Sequence, residues 1–131
     1  MKPLLLAAAL VSLSVAAIAA SPHQALLDTY AKEAGVTSFS AERGKAFFEA
    51  NHNGGKPATP SCTTCHGMNP REAGRTRAGK IIDPMAVSAN PDRFTDPAFV
   101  EKWFGRNCDS VLGRACTAAE KGDFIAYLSS L

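Results

Sequence analysis

Two cysteines and a histidine, in the order Cys62-Thr63-Thr64-Cys65-His66, are the residues of this chain best arranged to do chemistry. This order lets the thiols add across the two vinyl groups of a porphyrin while the imidazole takes the iron from below, which is the attachment pattern of a c-type haem. Two other chemistries use a C-x-x-C pair. A redox dithiol calls for a βαβ pattern nearby, and no alternating or β-branched run flanks Cys62. A tetrahedral zinc site calls for two more soft ligands at recognisable spacing, whereas Cys108 and Cys116 stand far downstream and outside the usual finger pattern. The expected cofactor is therefore one covalent haem c with its iron, held by Cys62, Cys65 and His66.

What a haem does depends on the group opposite the histidine. An electron carrier uses a methionine thioether there, which suits both iron oxidation states. Met68 is two residues from His66 and cannot reach the opposite haem face. Met85 sits in the proline-framed segment Ile82-Asp83-Pro84-Met85 and can present sulfur, or it can simply fill space over the haem. His52, in a polar Asn-His-Asn-Gly turn, is a weaker candidate and reads better as a surface histidine.

The N-terminus gives the compartment. Lys2 supplies a positive start, Leu4 to Ile18 an apolar core, and Ala17 to Ala20 a small-residue cleavage region, so residues 1–20 read as a secretory signal cut after 19 or 20. The apolar run is too short and ends too abruptly for a membrane span, so the mature chain, 21–131, is expected as one exported, soluble, periplasmic domain with no membrane insertion. Export also suits the remaining cysteines. With Cys62 and Cys65 taken by haem, Cys108 and Cys116 have one intramolecular pairing, which is worth about 2–3 kcal/mol in the chain-entropy model.

Loss of Lys2 with the leader takes the 14 basic side chains to 13 against 12 acidic ones, so neither nucleic acid nor another polyanion is an expected partner. The one local bias is Arg71, Arg75, Arg77 and Lys80 against Glu72, read as a solvated loop or, more sharply, as a docking or propionate-pairing patch.

The elements that must position these groups are helices with long connections. A short peripheral helix is expected from Pro22 to Ala34, before Gly35, with Leu26, Leu27 and Tyr30 at helical spacing. Ser40 caps a second helix over Ala41 to Ala50, with Phe47 and Phe48 on its apolar face. Asn53-Gly54-Gly55 and prolines 57 and 60 make a loop that leads to a short helical turn at the haem motif. Asp96-Pro97 opens a helix expected to stop at Gly105. Thr117 and Glu120 form a capping box for a last helix that carries Phe124, Ile125 and Leu128.

In this frame the chain resembles class I cytochromes c, an all-α fold of helices wrapped around one haem. Gly44 and Phe48 share a face of the helix before the motif, and in that fold the glycine admits an aromatic of the last helix, here Phe124 or Tyr127. A narrower resemblance rests on Cys62-Thr63-Thr64-Cys65-His66-Gly67, Gly79-Lys80, Pro91-Asp92-Arg93-Phe94-Thr95-Asp96, Gly105-Arg106-Asn107-Cys108 and Gly113-Arg114-x-Cys116-Thr117. Together these look like the oxygen-binding c-type haem proteins of the SHP family. That resemblance implies Asn107 as sixth ligand, a redox partner that is a di-haem cytochrome c, and a donor on the membrane quinol side. Since a neutral amide oxygen is a hard donor poorly matched to ferrous iron, reduction is expected to release Asn107 and admit oxygen, nitric oxide or a similar small ligand.

The competing classes are a plain electron shuttle ligated by Met85 and a gas sensor with no electron role. No acid, base or nucleophile constellation accompanies the motif. An oxidase or reductase activity would therefore rest on the opened iron alone. Arg106 and Arg114 flank the ligand segment and can meet propionates, bound anions or water.

Overall fold

The computed structural model describes residues 21–131, and the expected secretory signal lies outside them. Five helices and one small hairpin follow in order: α1 (Pro22–Ala34), α2 (Ala41–Glu49), α3 (Thr63–His66), β1 (Gly74–Arg75), β2 (Ile81–Ile82), α4 (Pro97–Leu112) and α5 (Ala118–Ser129). The fold is all-α apart from that hairpin, in which Gly74 pairs with Ile82 and Arg75 with Ile81. Among the described residues, no helix is long and apolar enough to cross a membrane.

Local chemistry starts each long helix. Ser21, Ser40 and Asp96 accept hydrogen bonds from the amides of Gln24, Arg43 and Phe99, each satisfying a donor that the first turn leaves unpaired. Thr117 and Glu120 complete a reciprocal capping box on α5.

The core lies where α2 and α1 pack on α5. Phe48, Ile125 and Leu128 are fully buried there. Gly44 is the reason α2 can come so close: a Cβ at that position would overlap the Asp123 carbonyl and the Tyr127 side chain. The partner at this crossing is thus Tyr127 and the α5 backbone, while Phe124 meets Phe48 one turn further on, with ring centroids 6.0 Å apart. Asp123, with its side chain only 10 % exposed, is satisfied from three sides. It accepts from the Ser40 amide at 2.7 Å and from the Arg43 guanidinium at 2.7 and 2.8 Å. The first helix is more than peripheral, since Leu26 and Tyr30 are buried in this core.

The expected stop at Gly105 is not where α4 ends. The helix runs on to Leu112 and closes at Gly113, which has φ 68°, the left-handed conformation of a C-terminal cap. Gly105 lies inside the helix, so Asn107 and Cys108 are helical residues and not part of a connecting loop. Continuation is worth more than a stop here because Val100, Phe104, Cys108 and Val111 extend one buried face at helical spacing.

Candidate haem site

One cavity of about 500 Å³ gathers most of the residues that the sequence singles out. Cys62, Cys65 and His66 line it from α3, Asn107 and Cys108 from α4, Cys116 from the α4–α5 connection, and Met85 from the segment after the hairpin. Helix α4 supplies nine lining residues, among which Val100, Phe104, Cys108 and Val111 follow one another at helical spacing with Asn107 beside them.

The motif turn is fixed from behind. A Cβ at Gly74 would overlap the Cys65 carbonyl, so β1 lies directly against α3. Cys62 and Cys65 carry free thiols, and burial pushes the Cys62 thiol up to about 11, which keeps it protonated at neutral pH. Burial, and then the charge of Arg93, pushes the His66 imidazole down to about 4, so at pH 7 it is neutral and keeps a lone pair. Among the described residues its Nδ1 is the one buried side-chain nitrogen or oxygen without a hydrogen-bond partner. Two free thiols and a neutral, under-satisfied imidazole on the wall of one apolar cavity fit a covalently held porphyrin iron. They do not fit zinc: among the described residues, no three His, Cys, Asp or Glu side chains gather as an ion site.

On α4, Asn107 makes no side-chain hydrogen bond among the described residues, and its neighbours hold the helix at both ends. Towards the N-terminus, the Tyr30 hydroxyl donates to Glu101, Lys121 donates to the same carboxylate at 2.7 Å, and the Lys121 ammonium lies over the rings of Tyr30 and Phe104. Towards the C-terminus, the Ser110 carbonyl accepts from the Lys56 amide at 2.8 Å and from the Thr59 hydroxyl at 3.1 Å. One residue beyond Asn107, Cys108 is joined to Cys116 in a disulfide with a Cα–Cα distance of 5.6 Å.

The other candidates sort by position. Met85 is buried on the cavity wall, whereas Met68 is 66 % exposed. His52 does not line the cavity; its Nε2 pairs with the Phe47 carbonyl at 3.1 Å and its ring packs on Phe47. Arg106 lies over Trp103, and Arg114 makes a two-pronged bond to Glu120, so neither cation points to the cavity. Arg71, Arg75, Arg77 and Lys80 are all exposed on and around the hairpin, with Lys80 at the cavity rim.

Sequence reasoning missed Arg93. This half-buried residue lines the cavity, its Nε donates to the Pro84 carbonyl at 2.8 Å and its Nη2 to the Asp83 carbonyl. Phe94, next to it, has φ 61°, the only non-glycine residue with positive φ among those described. The conjunction of a cation with a buried aromatic in the 91–96 run was the available signal.

Comparison with known proteins identifies the family. The family described as Domain of unknown function (DUF1924) matches residues 34–128. Cytochrome c-type protein SHP of Cereibacter sphaeroides is 57 % identical over 110 residues, covering 84 % of this chain and 84 % of that protein. Cytochrome c'' of Methylophilus methylotrophus is 40 % identical over 86 residues, 65 % of this chain and 60 % of that one. Among solved structures, oxidized SHP, described as an oxygen binding cytochrome c, superposes with a TM-score of 0.80 over 85 % of this chain and 97 % of that one. Oxidized cytochrome c'' gives a TM-score of 0.70 at 34 % identity, over 83 % and 94 %.

Proposed function

Because the chain belongs to the SHP family of c-type cytochromes and carries covalent haem c with its iron, we propose that it is an exported mono-haem protein that couples one-electron transfer to binding of oxygen, nitric oxide or a similar small ligand. Bound haem supplies an iron that exchanges one electron and accepts a small ligand on one face. Cys62 and Cys65 would anchor the porphyrin, with His66 as one iron ligand. Asn107 would be the second in the ferric state and would be released on reduction, since its neutral amide oxygen is a hard donor suited to ferric iron and not to ferrous. Phe104 and Val111, a turn away on the same cavity wall, would shield that position from water. The electron comes from a partner redox protein, for which a di-haem cytochrome c is the candidate.

The observation that carries this reading is the place of Asn107, whose side chain lines the cavity from the same helix as Phe104 and Cys108 and makes no hydrogen bond among the described residues. Replacing Asn107 by alanine should leave the haem attached, turn the ferric spectrum from low-spin to high-spin and open the ferric iron to added anions. The alternative, an electron shuttle with Met85 as ligand, draws on the presence of Met85 on the same wall. It requires the far-red ferric band of thioether ligation, a ferrous protein that stays low-spin without taking up carbon monoxide, and an Asn107→Ala variant that behaves as the parent does. Those three results would sink the proposal.

A further inference from the structure

Only two cationic side chains, Lys80 and Arg93, line the cavity among the described residues, and they differ in kind. Lys80 is exposed on the hairpin. Arg93 is half-buried, and the surrounding chain is built to hold it there. Its Nε and Nη2 are tied to the carbonyls of Pro84 and Asp83, Asn90 accepts its amide at 3.1 Å and donates its own side-chain amide to Pro84, and His23 from α1 pairs with its carbonyl oxygen.

The next residue, Phe94, takes the left-handed conformation, which costs a bulky side chain about 1–2 kcal/mol. Its ring is pinned edge-on against His23 and Phe124. A strained turn held from several sides serves what it presents, here a guanidinium aimed into the site.

That guanidinium lacks a matching anion. Among the described residues Arg93 makes no salt bridge within 4.0 Å, and its polar partners are main-chain carbonyls, which use Nε and Nη2 and leave Nη1 without one. The carboxylates on its own segment and nearby are Asp83, Asp92 and Asp96. Asp96 is engaged in capping α4. Asp83 attracts Arg93 at longer range, while burial works against the charge. A fork of donors with one arm free, on an apolar wall, suits a carboxylate.

We propose that Arg93 binds a propionate carboxylate of the haem, with its free Nη1 as donor, and that this contact sets the reduction equilibrium of the iron. The inference rests on the reading of the cavity as the haem site. The cation stabilises the ionised propionate and offsets a negative charge beside the iron. Without it, the propionate titrates at higher pH, and where it is ionised its unpaired charge favours the ferric state.

The test uses the holoprotein with Arg93→Gln and Arg93→Lys. Covalent haem, assayed as the pyridine haemochrome, reports the cavity reading separately and should be present in all three proteins. In the parent, proton NMR of the propionate methylenes should show one propionate that does not titrate between pH 5 and 8.

In Arg93→Gln that group should titrate within this range, and the reduction equilibrium at pH 7 should shift about tenfold towards ferric, 59 mV for one electron. Arg93→Lys should restore most of the shift. Wild-type potentials at every pH in the glutamine variant would overturn the proposal. So would a change in cyanide affinity without a change in potential, which would assign Arg93 to the iron's own ligand. If the glutamine variant does not accumulate, the parent alone decides, since two propionates that both titrate between pH 5 and 8 contradict it.

Discussion

Helices α2 and α4 both reach the haem cavity, through Phe47 on one and the Val100–Val111 stretch on the other, yet they are held by different partners. α2 is locked to α5 backbone against backbone at Gly44, with Asp123 satisfied from three sides and Phe48 buried between Phe124 and Tyr127. Among the described residues α4 makes no close backbone crossing with another helix. It is held by the Phe104 ring against Tyr30 and Phe124, by the Gly54–Gly55 backbone against Ser110–Leu112, by the Tyr30–Glu101–Lys121 cluster and by the Cys108–Cys116 bridge. On the proposed function, the helix without a backbone crossing is the one that shifts by small amounts as its ligand leaves on reduction, and the α2–α5 crossing is the region that keeps the fold.

The strongest way to break that separation is Phe48→Ala. Phe48 is 0 % exposed, and its loss should cost about 3–5 kcal/mol in unfolding free energy. The protein that remains folded should keep the ferric low-spin spectrum, because Asn107 does not depend on α2. Denaturant titration and the ferric spectrum of one sample read both quantities. A variant that loses little stability but changes its sixth ligand would show that the two regions are one.

Removing the bridge tests the other side. Cys108→Ala with Cys116→Ala should cost about 2–3 kcal/mol, less than the core substitution, yet raise the high-spin fraction of the ferric protein. The bridge joins the residue after Asn107 to the start of the α5 connection, so its loss frees that end of the stretch. A spectrum that does not change would reduce the bridge to a staple.

How much of this was legible from residues alone follows the same division. The caps at Ser40, Asp96 and Thr117 are local chemistry written within four residues, and the helices begin where they indicate. The C-x-x-C-H turn is equally local. Gly105 misled because a glycine that stops a helix and one inside it are the same letter. The choice is made by φ, and φ here is set by how Phe104 and Cys108 pack. Arg93 was passed over because its role depends on carbonyls at Asp83 and Pro84 and on a ring from α1, contacts that no periodicity encodes. The two-residue strands are too short to show an alternation.

The smallest expected effect separates the anchors of α4 from those of α5 by pH. Burial raises the Glu101 carboxyl, but the hydrogen bonds from Lys121 and Tyr30 outweigh it and hold the group below its ordinary 4.5. Glu120 is held below the same value chiefly by Arg114, and also by the Thr117 amide of the α5 cap. A carboxylate with a lowered folded pKa contributes stability that is fully present above its unfolded value and is lost as pH falls through the folded one. Thermal midpoints should therefore stay level from pH 7 to about 5 and decline below 4.5. The decline should be shallow, because Glu101 is half exposed and screened by solvent. Glu101→Gln should lower the midpoint at pH 7 and flatten the acid decline in part, since the Glu120 contribution persists. If ferric spin state follows the Glu101 portion and not the Glu120 portion, the acid response of the ligand belongs to α4. An acid decline identical in parent and variant would assign it to the α5 cap alone, and the Tyr30–Glu101–Lys121 cluster would then be no anchor of the switching helix.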